Sequence, residues 1–573
     1  MKKLLVFLKD YKKETILSPL FKMLEAGFEL FVPLVMAAVI DKGIYRDDVP
    51  YVLKMGLILV LLGLIGLTCS ITAQYFAAKA AVGFSTQLKH SLFEHLQMLS
   101  FTEIDTLGTS TMITRMTSDV NQVQNGVNMV LRLFLRSPFI VFGAMIMAFT
   151  IDVKAALIFV VTIPLLSVVV FGIMMITMPL YKKVQAGLDK VLGKTRENLT
   201  GVRVIRAFHK EEQEIDAFEQ SNSELTDIQL FVGKLSALTN PVTFIIVNAA
   251  TVALIYTGAV RVDAGYITQG EVVALVNYMS QILIELIKLA NLIITITKAL
   301  ACANRIQGVF EIQSGMEWKE KEESTNNIDQ SGQCIVEFDH VALTYSGAGA
   351  ESLSDIDFKV KRGQTIGVIG GTGSGKSSLV HLIPRFYDAT KGSVKIDGKD
   401  VKDFSMEELR EKIGMVMQKA VLFQGSIRDN LAWGKQDATT EEMNRALEIS
   451  QAKEFVDAKP GGLDEPIAQG GKNLSGGQRQ RLTIARAVVK QPEILILDDS
   501  ASALDYATDA KLRKAIREMG DGTTVFIVSQ RTSSIQHADQ IIVLDDGRMA
   551  GIGTHEELLE TCEVYQEIHY SQV

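Results

Sequence analysis

At 573 residues the chain is too long for one ordinary domain, and its 47% hydrophobic and 22% charged residues suggest two unlike parts averaged together. A net charge of −8 and a pI near 5.7 argue against nucleic acid as a partner, which needs a basic face. Cys69, Cys302, Cys334 and Cys562 have neither metal-ligand nor redox spacing and read as buried thiols.

The N-terminal MKKLLVFLKDYKK is basic, and no small-residue cleavage site follows it, so it reads as a cytoplasmic flank rather than a signal peptide. Apolar segments of the about 20 residues needed to cross a bilayer lie near 16–40, 52–82, 129–150, 154–180, 241–261 and 271–300. Lys2, Lys3, Lys9, Lys12 and Lys13 precede the first span. A second basic stretch, from Lys182 to Lys210, separates the fourth span from the fifth. The links near 41–50, 151–153 and 262–270 are short and mostly acidic or neutral, which places both termini in the cytoplasm.

The two internal connections, roughly 83–128 and 181–240, keep apolar residues three and four apart and contain almost no Pro or Gly. They are expected to prolong the membrane helices into the cytoplasm and to turn at short crossing helices near Thr106–Arg115 and Arg206–Ile215.

Past residue 311 the character changes. The polar run Glu317 to Gln333 reads as a linker. Strand-like runs such as CIVEFDHVALTY, QTIGVIG, EILILDD, TVFIVSQ and QIIVLDD then alternate with helical patterns. Continuously apolar strands such as ILIL suit a parallel sheet covered on both faces. The expected architecture is a six-span α-helical membrane domain with long cytoplasmic extensions (1–311), a linker (312–333) and an α/β phosphate-loop domain (334–573).

The phosphate loop is GGTGSGKSS: Gly370, Gly371, Thr372, Gly373, Ser374, Gly375, Lys376, Ser377 and Ser378. It follows the apolar run TIGVI and precedes the helix-like LVHLI, the context the motif requires. Its glycines let backbone N–H groups face phosphates, and the following helix adds a positive N-terminus. Lys376 is expected at the β- and γ-phosphates of ATP and Ser377 on Mg2+, with Asp498, at the end of ILILD, as the magnesium-side carboxylate.

Together with NLSGGQRQR, from Asn473 to Arg481, these residues resemble an ATP-binding-cassette (ABC) nucleotide-binding domain. Nearly the whole chain resembles a half-transporter of the type IV, multidrug-type exporters, with TGVRVIRAF (Thr200 to Phe208) like their second cytoplasmic connection. The resemblance implies that Tyr345 stacks on adenine and that Gln418 senses magnesium and couples to the membrane domain. It also implies that Leu504 and Asp505 communicate between two sites. In such proteins two nucleotide-binding domains meet head to tail, so Asn473, Leu474, Ser475, Gly476, Gly477 and Gln478 would clamp a partner's ATP; small residues approach a γ-phosphate closely.

Two positions depart from the family pattern. Asp499 stands where the general-base glutamate is expected, and Gln530 where a histidine is expected. An aspartate reaches about 1 Å less far, and a misplacement of that order can cost about a hundredfold in rate. Glutamine cannot become cationic and stabilises developing charge less. Gln469, where homodimeric exporters usually show glutamate, points the same way. The resemblance thus implies the degenerate-site subunit of a bacterial heterodimeric exporter in the cell membrane. A sister half-transporter would supply the intact glutamate and histidine; a homodimer with two slow sites, an importer and a channel-like regulator are the alternatives, and a soluble ATPase or signalling scaffold is argued against by the six spans.

Cargo is scarcely written in the sequence. Phe142, Met145, Met147, Phe149, Met174, Met175 and Met178 offer either soft cargo-facing surface or ordinary packing for a hydrophobic or amphipathic compound. Glu25, Glu29, Arg132, Arg136, Glu285 and Lys288 fall in or beside spans, where charge is costly. Glu285 and Lys288, three apart, are expected to pair on one helix face and, of these six, to be the ones that serve a cargo cavity.

Overall fold

The structure, a computed structural model, describes residues 3–320, 334–500, 504–519 and 522–572. The linker residues 321–333 lie outside the described set. The chain divides into two compact units, one of Met1–Gln97 with Ser110–Ile312 and one of Met98–Thr109 with Gln313–Val573.

The first unit is helical: α1 (Lys12–Ala38), α2 (Val49–Met98), α3 (Phe101–Leu107), which belongs to the second unit, α4 (Thr109–Thr114), α5 (Val120–Leu133), α6 (Arg136–Ile151), α7 (Val153–Ala207), α8 (Glu211–Ala237), α9 (Thr239–Asp263) and α10 (Gln269–Phe310). Apart from α3 they fall, among the described residues, into six continuous stretches long and apolar enough to cross a membrane, and each expected span lies within one of them. The 50 residues of α2 and 55 of α7 exceed the about 20 a bilayer needs, so their polar ends run on beyond it.

Caps mark the boundaries. Asp152 accepts from the Ala155 amide at 2.9 Å to start α7, and Thr268 and Glu271 form a reciprocal capping box at the start of α10. In the core of this unit, Ala26, Ala144 and Ala274 are fully buried, which lets α1, α6 and α10 approach closely. The buried Tyr278 hydroxyl donates to the Leu30 carbonyl at 2.6 Å. Along α2, Leu53, Leu57, Leu61 and Leu64 face outward, as lipid-compatible side chains do.

The connections differ from expectation in detail. The first turns at α3, which begins at the Ser100–Glu103 capping box and ends at Gly108 with φ +73°; the short α4 (Thr109–Thr114) then falls within the expected Thr106–Arg115. Over Arg206–Ile215 there is a break instead of a crossing helix: α7 ends, His209 takes φ +54°, and α8 begins.

The second unit is α/β. Its six-stranded sheet runs, in spatial order, Arg548–Gly553, Gln540–Asp545, Thr365–Gly370, Thr524–Val528, Ile494–Asp498 and Ile413–Val416. All neighbours are parallel except the first pair. A four-stranded antiparallel sheet built on Cys334–Leu343 and Leu353–Lys361 packs into the same core. Every residue of Ile494–Asp498 is buried, as a strand covered on both faces requires.

Candidate nucleotide site

Three neighbouring strands end on one edge of the six-stranded sheet. Thr365–Gly370 runs into the phosphate loop, Ile494–Asp498 into Asp499, and Thr524–Val528, between them, into Ser529 and Gln530. Ligands of parallel sheets bind outside such carboxyl ends. A cavity of about 670 Å3 opens there, lined by Tyr345, Thr372 to Ser378, Gln418, Asp498, Asp499 and Gln530 among others.

The loop needs its glycines. Gly373 and Gly375 sit at φ +85° and +95°, and a Cβ on Gly370 would strike the Leu544 carbonyl. Lys376, only 9% exposed, donates to the carbonyls of Gly370 and Gly371 at 2.9 and 2.6 Å. Burial lowers its pKa, while Asp499 and Asp498 act in the opposite direction. The Ser377 hydroxyl donates to Asp498 Oδ1 at 2.9 Å. With Gln418 in the same cavity, this is a hard-oxygen donor set of the kind Mg2+ prefers.

Asp499 leaves the strand at φ +44°, its amide donating to the Val528 carbonyl at 3.1 Å. Gln418 Nε2 lies 3.4 Å from its Oδ2. Burial, and next the neighbouring Asp498, push its carboxyl above the usual aspartate value. Gln530 is exposed, and its backbone carbonyl accepts from the Gln572 side-chain amide at 2.7 Å.

The half-buried Tyr345 donates its hydroxyl to Ser378 at 2.9 Å and meets Tyr387 edge-on at 5.0 Å, so its ring is fixed beside the loop. Burial raises its pKa. Two residues not singled out from the sequence join the site. His381, four residues after Ser377 and hence on the same helix face, brings Nε2 to 3.4 Å from Asp498 Oδ2. Tyr387 braces Tyr345 and donates to Asp105 at 2.6 Å. The spacing of His381 from Ser377 is a usable sequence signal; Tyr387 has none.

The segment Asn473–Gln478 does not line this cavity. Asn473 is anchored by bonds with Ala468 and Pro466, and Leu474 is buried. Ser475 caps the helix Gly476–Val488, exchanging bonds with Gln478 at 3.0 and 3.2 Å. Ser475 and Gly476 are exposed, and the serine oxygen accepts from the Gln478 amide. Leu504 is buried, and Asp505 caps the next helix by accepting from Thr508 at 3.0 Å.

Comparisons with known proteins bear on both units. Residues 15–286 match the ABC transporter transmembrane region, and residues 353–502 match the ABC transporter family. An uncharacterized ABC transporter ATP-binding protein of Mycobacterium tuberculosis is 36% identical, over 99% of this chain and 97% of its own length. The ATP-dependent lipid A-core flippase of Desulfotalea psychrophila is 33% identical, over 84% of this chain and 83% of its own. A bacterial Atm1-family ABC exporter solved with ATP bound superposes with a TM-score of 0.77 over 98% of both chains, at 22% identity.

Proposed function

The chain belongs to the ABC transporter family and is an ATP-hydrolysing membrane transporter subunit, and from that premise we propose that it is the nucleotide-retaining half of a heterodimeric exporter. The observation that carries this is the pairing of Asp499 and Gln530 in one cavity with an intact phosphate loop, while the Ser475–Gln478 segment lies outside that cavity's lining and is in part exposed.

In this reading Tyr345 stacks on adenine, the loop amides from Thr372 to Ser378 wrap the phosphates, and Lys376 swings from its carbonyl partners to the γ-phosphate. Ser377, Asp498 and Gln418 would hold Mg2+, which neutralises phosphate charge when bound. Asp499 is too short to hold an attacking water as glutamate would, and Gln530 offers a neutral donor where a cation is wanted. ATP therefore stays bound. The exposed Ser475 and the glycines after it close on the γ-phosphate of a sister subunit that supplies its own glutamate and histidine.

ATP clamping then favours an outward-open arrangement of the spans through its differential affinity for two states. The cargo is a hydrophobic or amphipathic compound, as the lipid-flippase relative suggests. The basic flanks support a multi-pass chain of a bacterial cell membrane with both termini on its cytoplasmic side.

The test is ATP turnover by the purified complex with its sister subunit. Lys376→Ala here should lower turnover about two- to fivefold, whereas removing the sister's general base should abolish it, a loss of at least a hundredfold. Equal losses, or brisk turnover by this chain alone, would establish a matched pair and overturn the reading.

A further inference from the structure

A second cavity, of about 650 Å3, lies between α1, α2 and α6. One wall is polar: Glu25 and Glu29, one turn apart on α1, and Arg136 at the start of α6. The other is apolar, with Phe28, Val32, Leu59, Leu62 and Leu67. Gly63 and Gly66 leave a notch in α2, since a Cβ at either would touch nothing within 4 Å.

The charges are arranged in a particular way. Arg136 is 7% exposed; it donates to Glu285 at 2.6 Å and to Glu29 at 2.7 Å, and its Nε has no hydrogen-bond partner among the described residues. Glu285 is doubly provided for, accepting also from Lys288 and from Ser137, both at 2.8 Å. Lys22 donates to Glu25 at 2.5 Å and to Ser70 at 3.0 Å. Three cations face three carboxylates, so the cluster is neutral.

That neutrality selects a ligand class. An added cation or anion would leave one charge uncompensated in an apolar surround, which is costly. A zwitterion would not. Glu29, whose side chain is 40% exposed, is the carboxylate open to the cavity, and Arg136 can release it without being orphaned because Glu285 still holds it.

We propose that this cavity binds an amphipath whose head carries both an ammonium and an anionic oxygen, the ammonium seated on Glu29 and Glu25, the oxygen on Arg136, and the hydrocarbon chain along α2. The cavity's role as a cargo site rests on the exporter reading; the binding itself does not.

The test uses the full-length chain in phosphatidylglycerol nanodiscs and four tritiated probes with matched twelve-carbon chains: dodecyl phosphoethanolamine, Nε-dodecanoyl-lysine, dodecylamine and dodecyl phosphate. At least one of the two zwitterions should bind at least tenfold tighter than the amine or the phosphate; whichever of them binds identifies the source as a lipid-type or an amino-acid-type head. Glu29→Gln should weaken zwitterion binding at least tenfold and strengthen dodecyl phosphate, because it leaves the cluster with one uncompensated cation, Arg136 having lost its second carboxylate. Gly63→Leu, which fills the notch at a position that tolerates a side chain, should weaken whichever zwitterion binds as much.

An unchanged melting temperature and monodisperse elution of the nanodisc-embedded chain certify that each variant folds. Equal affinity for all four probes, or zwitterion binding indifferent to both variants, overturns the proposal. ATP-dependent flux of the same probes in inside-out vesicles separates the two readings. Binding without flux removes the exporter role and keeps the site. Flux that ignores Gly63→Leu removes the site and keeps the exporter.

Discussion

Asp499 adopts a left-handed backbone that aspartate tolerates better than glutamate does. Restoring the expected base is therefore opposed by about 1 kcal/mol of backbone strain. Asp499→Glu together with Gln530→His should raise phosphate release from this chain's own site about ten- to a hundredfold, read against a partner whose site has been disabled. No gain from the double variant would show that something other than these two side chains limits the site. The same carboxyl sets a pH effect. Its pKa is raised in the fold, chiefly by burial and then by Asp498, so the folded protein holds that proton more tightly than the unfolded chain does. Ionised Asp499 therefore costs stability at neutral pH, and the cost disappears as pH falls below the ordinary aspartate value near about 4. Asp499→Asn should raise the melting temperature by about 2 °C at pH 7.5, with the gain shrinking toward zero on acidification. A gain that held constant or grew in acid would contradict this origin.

At the scale of elements, α3 shows what the sequence could and could not convey. Its S-x-x-E start is a readable cap signal, Ser100 to Glu103, and Gly108 is a readable stop. What could not be read is where it docks. Phe101 lies 4.5 Å from the Phe386 ring, the Glu103 carboxylate accepts from the Gly315 amide at 3.2 Å, and Tyr387 donates to Asp105, all pairings across more than 200 residues. Burial and Asp105 together hold the Tyr387 hydroxyl well above its usual pKa, so it stays a donor at physiological pH. Tyr387→Phe removes that bond, worth about 1 kcal/mol, and amide exchange over residues 101–107 should quicken about fivefold. Unchanged exchange would mean that the ring contacts alone hold the helix. The second connection was misjudged for a different reason. His209 enters the left-handed region without glycine, proline or asparagine to announce it.

For the whole molecule, the spans were legible because length and hydropathy are local properties, and the phosphate loop because its spacing is. The Glu285–Lys288 pair was legible too, being three residues apart on one helix. Arg136 meeting Glu285 and Glu29 was not, since that contact joins three helices distant in sequence. Strand order is equally non-local. Nothing in ILILD or TVFIV says that Asp499 and Gln530 end beside the same loop, and only the resemblance to a family anticipated it. The division of the chain also departs from a simple cut near residue 311, because residues 98–109 belong with the second unit.

That interleaving bears on how the protein is made. The segment ending at Thr109 leaves the ribosome 204 residues before Gln313, where the rest of its unit begins. At common elongation rates Phe101 must wait roughly 15–55 s for Phe386, 285 residues later, to cover it. The nucleotide-binding half therefore cannot be finished as a self-contained C-terminal block, and its assembly is timed by the insertion of the four spans that come in between.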